Sequence, residues 1–269
     1  MKKRYVNMTN NTAPLFVDSH AHLDVKQFED DRDALIRSFP ENNIETVITV
    51  ADSLTSSKDA LLLANKYPYL YATAGIHPHN AEAYSDDQEP IFKALLSENK
   101  VVAVGEIGLD YYYEFSEKEI QKDIFTKMLT LAKETDKPVV IHNRKSDDDL
   151  VAILKDFLPL KGKGVLHCFD SNIDLAKKVL DMGFYISFSG IVTFKKSLEL
   201  QDAAKFVPLE KMLIETDSPY LAPHPKRGTR NNPLNVKYVA EKIAELKNIP
   251  LEQVAKQTKQ NTYNLFKIK

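Results

Sequence analysis

Short β-strand-like runs alternate with longer amphipathic segments along most of the sequence, and this alternation restricts the fold to a few architectures. Eight runs are rich in β-branched or other apolar residues, at 15–17, 46–50, 70–73, 101–104, 138–141, 164–166, 184–188 and 212–214. Between them lie segments with helical apolar spacing, such as 117–136 and 172–182, the latter followed by Gly183 as a stop signal. Because parallel neighbours need a crossover, the alternation indicates a parallel sheet.

The number of repeats favours a closed sheet. Eight strand–helix repeats in 269 residues fit a (β/α)8 barrel of about 250 residues better than an open doubly wound sheet. We predict one α/β domain over 14–269, a TIM-type barrel with its active site at the C-terminal strand ends. A flexible polar extension is predicted over 1–13. The strand at 184–188 is predicted from its apolar residues alone, because no functional residue follows it.

Composition excludes several classes of protein. With 36 basic and 38 acidic side chains the net charge is -2, so bulk attraction to nucleic acid is excluded and any such contact must be local. A single cysteine excludes a disulfide framework and a Cys-rich zinc module. The sequence contains no run of about 18 apolar residues, so no membrane span is predicted. The N-terminus lacks the apolar part of a secretory signal. We expect a cytoplasmic protein with no obligate protein partner.

Metal-binding side chains follow five of the strand-like runs. The candidates, in chain order, are His20, His22, Glu106, His142, His167 and Asp217. The C-terminal strand ends of a (β/α)8 barrel converge on one mouth, and His20 and His22 are two apart, so both point to one face of a strand. Considered singly, His167 would be interpreted as a hydrogen-bonded histidine of the core, and Glu106 as one partner of a salt bridge at the rim. Together the six indicate a metal site.

Four imidazoles and two carboxylates exceed the three protein ligands of a single tetrahedral catalytic ion. They suit two divalent ions bridged by a carboxylate, an arrangement that activates water for hydrolysis. The nitrogen and oxygen donor set suits Zn, Mn, Co or Fe, and Mg less well. It does not choose among them, and Mg, Mn and Zn are the candidate metals. Asp18 and Glu215 share the parity of His20 and Asp217. They are predicted one layer deeper, either orienting the ligands or forming a buried polar pair.

Basic and aromatic residues near the predicted mouth suit a phosphate-containing substrate. Arg144 shares a face with His142, and the loop 223–233 carries Arg227 and Arg230. Guanidinium groups present a planar fork to phosphate oxygens, and the tyrosines at 111–113 could stack on unpaired bases. The alternatives are that the loop is a solvated surface turn and that the tyrosines pack at the barrel rim.

Six motifs in this sequence resemble those of the TatD family of metal-dependent deoxyribonucleases, within the amidohydrolase-like barrels. They are DSHAHLD (18–24), GIHPH (75–79), GEIGLDYY (105–112), IHNR (141–144), HCF (167–169) and ETDSPYLAP (215–223). The resemblance extends from the first of these motifs to residue 233 and covers nearly the whole chain. It implies the same barrel and a DNase activity, in some members a 3′-to-5′ exonuclease acting on single strands. The implied partner is single-stranded DNA or a DNA 3′ end.

The resemblance also implies roles for individual residues. One metal would be held by His20, His22, Glu106 and Asp217, and a second by Glu106, His142 and His167. Asp217 would take the proton of the attacking water, and His77 and Arg144 would contact the scissile phosphate. Two departures fall outside this set. Asp170-Ser171 stands where the family often has Ser-Gly, and Asn232 stands where it commonly has glutamate, which removes a carboxylate expected to pin the basic loop.

Three other functions fit the same pattern. The first is a two-metal hydrolase of a small amide, lactone or phosphoester, although many of those enzymes use a modified lysine where this chain has Glu106. The second is an aminoacyl-tRNA deacylase, which needs the same activated water. The third is a non-catalytic binding barrel. It is disfavoured because buried carboxylates and imidazoles without a metal are costly.

Overall fold

A computed structural model describes residues 13–160 and 163–269. It contains one eight-stranded parallel sheet in which each strand pairs with the next along the chain. The strands are β1 (Phe16–Ala21), β2 (Ile44–Thr49), β3 (Leu70–Ala74), β4 (Val101–Asp110), β5 (Val139–Arg144), β6 (Gly164–Leu166), β7 (Tyr185–Phe188) and β8 (Met212–Ile214). The predicted (β/α)8 barrel is confirmed, including the strand at 184–188.

Helices cover the outside of the sheet and supply the crossovers that parallel strands require. They are α1 (Arg32–Arg37), α2 (Leu54–Lys66), α3 (Glu89–Ser97), α4 (Lys118–Thr135), α5 (Asp147–Phe157), α6 (Ile173–Asp181), α7 (Leu198–Phe206), α8 (Val236–Lys247) and α9 (Leu251–Phe266). No helix within the described ranges is long and apolar enough to cross a membrane. The extension predicted over 1–13 lies outside the described residues, apart from Ala13.

Backbone hydrogen bonds close the barrel between its last and first strands. The Asp217 amide donates to the His20 carbonyl at 2.9 Å, and the His22 amide donates to the Ser218 carbonyl at 2.7 Å. Both bonds lie just beyond Ile214, the last residue of β8. These bonds bring His20 and His22 beside Asp217, which is nearly 200 positions away in the sequence.

The core has two parts. A large apolar cluster fills the space between the sheet and the helices, and a smaller one, in which Ile48, Val102, Val140, Val165 and Leu213 meet, fills the barrel. Bulky branched residues are the usual filling of such an interior. Below the mouth the barrel is therefore a packed core, and an open cavity remains only where polar side chains replace the apolar ones.

Strand β4 differs from its predicted extent, because it runs to Asp110 rather than ending near residue 104. Glu106 therefore lies within the strand and not after it, which corrects its predicted position. Gly108 permits the extension. Its φ is +143°, and a Cβ there would lie 2.0 Å from the His142 carbonyl oxygen. Only glycine tolerates this approach, which keeps β4 paired with β5 as far as Arg144.

Candidate active site

A cavity of about 910 Å³ opens at the C-terminal ends of the strands. Five of the six predicted metal ligands line it, namely His22, Glu106, His142, His167 and Asp217. The sixth, His20, is fully buried beneath it, with its ring stacked on that of His167 at a centroid distance of 3.9 Å. The barrel thus brings all six residues into one cluster, although they come from five different strands or strand ends.

Glu106 stands at the centre of the cluster, and its two carboxylate oxygens face different histidines. Oε2 lies 3.3 Å from His20 Nε2 and 3.6 Å from His22 Nε2. Oε1 lies 3.0 Å from His142 Nδ1 and 2.7 Å from His167 Nε2. One carboxylate therefore contacts two separate pairs of imidazoles, which is the geometry that a bridging ligand requires.

The first group of donors has the spacing of a metal site. Nε2 of His20 lies 3.2 Å from Nε2 of His22, and Asp217 Oδ1 lies 3.4 Å from His22 Nε2. Ligands at about 2.0–2.1 Å around a tetrahedral zinc are about 3.3 Å apart. These residues consequently fit a divalent ion without rearrangement, and they form one of the His/carboxylate groups whose donor atoms converge.

Hydrogen bonds on the far side of three of the four rings leave their inward nitrogens free to bind a metal, whereas His20 Nδ1 has no hydrogen-bond partner within the described residues. His22 Nδ1 is 2.9 Å from the Val50 carbonyl oxygen, a partner that can only accept, so this nitrogen carries the proton. His142 Nε2 is 3.0 Å from Asp110 Oδ2, and His167 Nδ1 is 3.3 Å from Glu215 Oε1. Such outer partners fix the tautomer and the ring orientation of metal-ligating histidines.

His77 differs from the other histidines of the cluster. Its Nε2 lies 3.5 Å from Glu106 Oε1, and it falls in a converging group with Glu106 and His142. However, the His79 amide donates to His77 Nδ1 at 3.1 Å, so a neutral His77 carries its proton on Nε2. Burial lowers the pKa of His77 to about 4. A protonated Nε2 facing the cavity is a hydrogen-bond donor and not a metal ligand.

The charges of the cluster are strongly coupled. Burial by itself raises the pKa of Glu106, but His167, His77 and His20 outweigh it and hold that pKa well below its usual value. Burial lowers the pKa of His22, yet the hydrogen bond to Asp217 and the negative charges of Glu106, Asp217 and Asp24 together outweigh burial and raise it to about 9. Without metal, protons shared with the imidazoles therefore compensate the carboxylates. Divalent ions would replace those protons.

Sequence reasoning missed two residues of the site. Asp110 is fully buried, and its Oδ2 lies 3.0 Å from His142 Nε2 and 2.9 Å from His79 Nε2. Asp110 is four positions after Glu106, so both side chains lie on the same face of a continuous strand. This relation could have identified Asp110, but only if β4 had been predicted to continue beyond residue 104. His79, within the motif at 75–79, is the second of the two, and it belongs to a His79–Asp110–His142 chain of hydrogen bonds.

The two predicted deeper carboxylates lie in different surroundings. Glu215 approaches the His167 ring and also accepts the Cys168 amide at 2.7 Å. Within the described ranges, no imidazole side chain forms a hydrogen bond with Asp18. It accepts the Thr216 amide at 2.9 Å and the His20 amide at 3.3 Å, and burial raises its pKa to about 8. Asp18 therefore ties β1 to the segment that carries Asp217.

The structure separates the three predicted arginines. Arg144 lines the cavity, with its guanidinium 4.1 Å from the ring centre of Tyr112. Arg227 lies 3.8 Å above the ring of Phe194. Arg230 donates two hydrogen bonds to Asp31, at 2.8 and 2.6 Å. Neither Arg227 nor Arg230 is among the residues that line the cavity.

The two departures from the family pattern also have defined positions. Asp170 lines the cavity beside Arg144, and burial raises the pKa of its carboxyl group. Asn232 accepts the Leu234 amide at 3.1 Å and so caps a short 3₁₀ turn before α8. An asparagine oxygen can serve this capping role without a charge.

The donor set predicts that divalent ions stabilise the folded protein. We expect Mn²⁺ or Zn²⁺ at about 100 times its Kd to add about 2.7 kcal/mol to the free energy of unfolding. For a chain of this size that is a rise in Tm of about 5–10 °C. Thermal unfolding of metal-stripped protein with and without added metal measures it. His224→Ala, outside the cluster, should keep the rise and His142→Ala should reduce it. Equal Tm values for the wild type with and without metal would contradict the assignment.

Comparisons with known proteins agree with this geometry. The family model described as TatD related DNase matches residues 17–267. An uncharacterized metal-dependent hydrolase, YabD of Bacillus subtilis, is 39% identical over 254 residues, 94% of this chain and 100% of the relative. The 3′-5′ ssDNA/RNA exonuclease TatD of Salmonella typhimurium is 32% identical, over 93% of this chain and 98% of its own.

The solved structures give the same result. YJJV, a TatD homologue of Escherichia coli K12, matches with a TM-score of 0.89 and 32% identity, over 94% of this chain and 98% of the other. The phosphotriesterase homology protein of Escherichia coli matches with a TM-score of 0.58 at 14% identity, which shows a shared fold alone. Family model, relatives and structures together show that this chain belongs to the TatD family of metal-dependent hydrolases.

Proposed function

We propose that the protein is a DNase that uses two divalent ions to hydrolyse phosphodiester bonds, as a 3′-5′ exonuclease on single-stranded DNA. The observation that carries the proposal is the central carboxylate of Glu106, whose two oxygens face two separate pairs of imidazoles. The nuclease substrate is supported by the Salmonella typhimurium relative named for single-stranded DNA and RNA. The two ions are the Mg, Mn or Zn that the donor set admits.

The chain would hold the ions with the residues whose inward nitrogens and oxygens converge. His20, His22, Asp217 and one oxygen of Glu106 would hold the first, and His142, His167 and the other oxygen of Glu106 the second. When bound, such ions lower the pKa of water and neutralise charge on the phosphate oxygens. Asp110 and Glu215 would keep the rings of His142 and His167 in orientation through the hydrogen bonds on their outer nitrogens.

Asp217 is proposed as the general base. Burial raises its pKa, but the hydrogen bond from His22 and the positive charges of His20, His22 and His167 together outweigh burial and lower the pKa below its usual value. Asp217 is therefore ionised at neutral pH and can accept the proton of the attacking water. It also lines the cavity in which the substrate would bind.

Two further residues that line the cavity, His77 and Arg144, would contact the scissile phosphate. His77 presents a protonated Nε2 towards the cavity, as its bond from the His79 amide requires. Arg144 lines the same cavity, and its guanidinium lies against the rings of Tyr112 and Tyr113. A neutral donor and a cation suit the anionic oxygens of a phosphodiester. Arg227 and Arg230 would act only outside the cavity, at the rim.

Digestion of a 5′-labelled single-stranded DNA oligonucleotide tests the proposal. Metal-stripped protein should leave the DNA intact, and addition of Mn²⁺ or Mg²⁺ should give a ladder that shortens from the 3′ end. Glu106→Ala, purified in the same way, controls for contaminating nucleases and should give no ladder. A wild-type protein that binds two ions but cleaves no oligonucleotide would overturn the DNA substrate. The same site would then be assigned to a small-molecule amide, lactone or phosphoester, or to an aminoacyl-tRNA ester.

A further inference from the structure

The loop that follows β4 exposes three aromatic side chains beside the cavity. Tyr112 is 57% exposed, Tyr113 is 49% and Phe115 is 65%. Tyr111, the first of the run, behaves differently: it packs against the core, and its hydroxyl donates to Asp149 at 2.8 Å. Tyr111 therefore belongs to the packed core, whereas Tyr112, Tyr113 and Phe115 face solvent. A contiguous group of exposed aromatic residues on a soluble domain often marks a binding surface.

Tyr113 and Phe115 are stacked on each other with nearly parallel rings. Their ring centres are 5.5 Å apart and their planes differ by 9°. The His79 ring packs edge-on against both, at 5.6 Å from Tyr113 and 4.8 Å from Phe115. We call Tyr113 and Phe115 the aromatic platform. Its position is set from below by His79, whose Nε2 bonds to the buried carboxylate of Asp110.

The aromatic platform lies at the edge of the catalytic cluster. Both residues line the same cavity as Glu106 and His142, and the His79 ring connects them to His142 at a centroid distance of 6.2 Å. The Arg144 guanidinium lies 4.7 Å from the ring centre of Tyr113. A phosphate at Arg144 would thus have an apolar, planar surface beside it. This pairing of cation and aromatic face matches the alternation of phosphate and base along a nucleic acid strand.

We infer that the aromatic platform of Tyr113 and Phe115 binds an unpaired nucleobase next to the scissile phosphate by stacking, and so gives the enzyme its preference for single strands. The inference rests on the proposed nuclease function and deepens it. A base in a duplex is already stacked and paired, so only an unpaired base can present its face. Stacking depends little on base identity because every base has a π-face, and the platform therefore selects strandedness rather than sequence.

The test combines a change in the protein with a matching change in the substrate. The double variant Tyr113→Ala/Phe115→Ala should raise KM for a single-stranded oligonucleotide by about 10-fold or more, with kcat within about twofold. An oligonucleotide whose two 3′-terminal nucleotides are abasic should raise KM of the wild type by a similar factor. The variant and the abasic substrate together should give no further rise, because both remove the same contact.

Conservative and remote variants separate stacking from a general loss of structure. Tyr113→Phe and Phe115→Tyr keep the ring faces and should retain the wild-type KM. Phe206→Ala removes a 42% exposed aromatic residue at the end of α7, outside the cavity, and should leave KM unchanged. Independent, additive effects of the double variant and the abasic substrate would overturn the inference, as would an unchanged KM in the double variant.

Binding measurements distinguish failure of the inference from failure of the proposed function. Fluorescence anisotropy of the labelled oligonucleotide is followed with Asp217→Asn protein in Mn²⁺, so that no cleavage is needed. If the oligonucleotide binds, binding weakens in the platform variant and no protein cleaves DNA, the inference stands and the proposed reaction fails. If DNA is cleaved but the platform variant binds it with unchanged affinity, the reaction stands and the inference fails. If no oligonucleotide binds, both are overturned.

Discussion

Glu106→Ala is expected to lower kcat/KM for single-stranded DNA by at least about 1000-fold, or about 4 kcal/mol of transition-state stabilisation. The loss is large because one side chain contacts both pairs of imidazoles, so its removal affects both proposed ions at once. In addition, the buried imidazoles lose the carboxylate that faces them. Metal content per chain should fall below that of the wild type.

Steady-state kinetics and elemental analysis of the same preparations measure this effect. Circular dichroism and Tm show whether the variant has folded. Glu106→Gln keeps the shape and one neutral oxygen, so it should retain more metal than Glu106→Ala but remain far less active than the wild type. A Glu106→Ala protein with wild-type kcat/KM would show that the carboxylate does not bridge the ions.

Asp217→Asn is expected to lower kcat by about 10²–10⁴-fold, the usual contribution of a general base, with a much smaller change in KM. The amide keeps an oxygen near His22 but cannot accept a proton from water. The appropriate comparison is Asp110→Asn, another isosteric change at a buried carboxylate. Because Asp110 acts through His142, its loss should cost about 10–100-fold in metal affinity and should be rescued by excess metal.

Saturating metal therefore separates the two roles. Titration of Mn²⁺ against kcat should restore Asp110→Asn towards the wild type and leave Asp217→Asn impaired at every concentration. If excess metal restored Asp217→Asn fully, Asp217 would be a ligand without a role as base. If Asp110→Asn stayed inactive in excess metal, the buried aspartate would act on the reaction itself rather than through His142.

The sequence predicted the barrel well because the relevant signals are local. β-branched runs, helical apolar spacing and the stop signal at Gly183 can each be recognised within a short window. The runs at 164–166 and 212–214 match β6 and β8 residue for residue. The prediction was wrong where the extent of a strand depends on pairing with a segment that is distant in the sequence. Strand β4 is longer than predicted because Gly108 lets it pair with β5 beside His142, a contact that no window around residue 108 contains.

For the metal-ligand cluster as well, features set by local spacing could be predicted, and features set by distant residues could not. His20 and His22 could be assigned to one face from their spacing alone, and barrel topology predicted that the strand ends meet. Ring tautomers could not be predicted, since they depend on acceptors such as the Val50 carbonyl and Glu215. The same holds for Arg230. Its type suggests phosphate binding, but Asp31, which is remote in sequence, occupies its guanidinium in the folded protein.

By itself, the sequence determined the fold class, the residue types of the cluster and the strands that carry them, because strand and helix patterns and donor chemistry belong to the chain. Only the tertiary structure decided which oxygen of Glu106 faces which imidazole, that His77 donates rather than ligates, and that Tyr113 and Phe115 form a surface at the cavity while Tyr111 does not. These features depend on distances and hydrogen bonds between segments far apart in sequence, and such distances exist only once the barrel has closed.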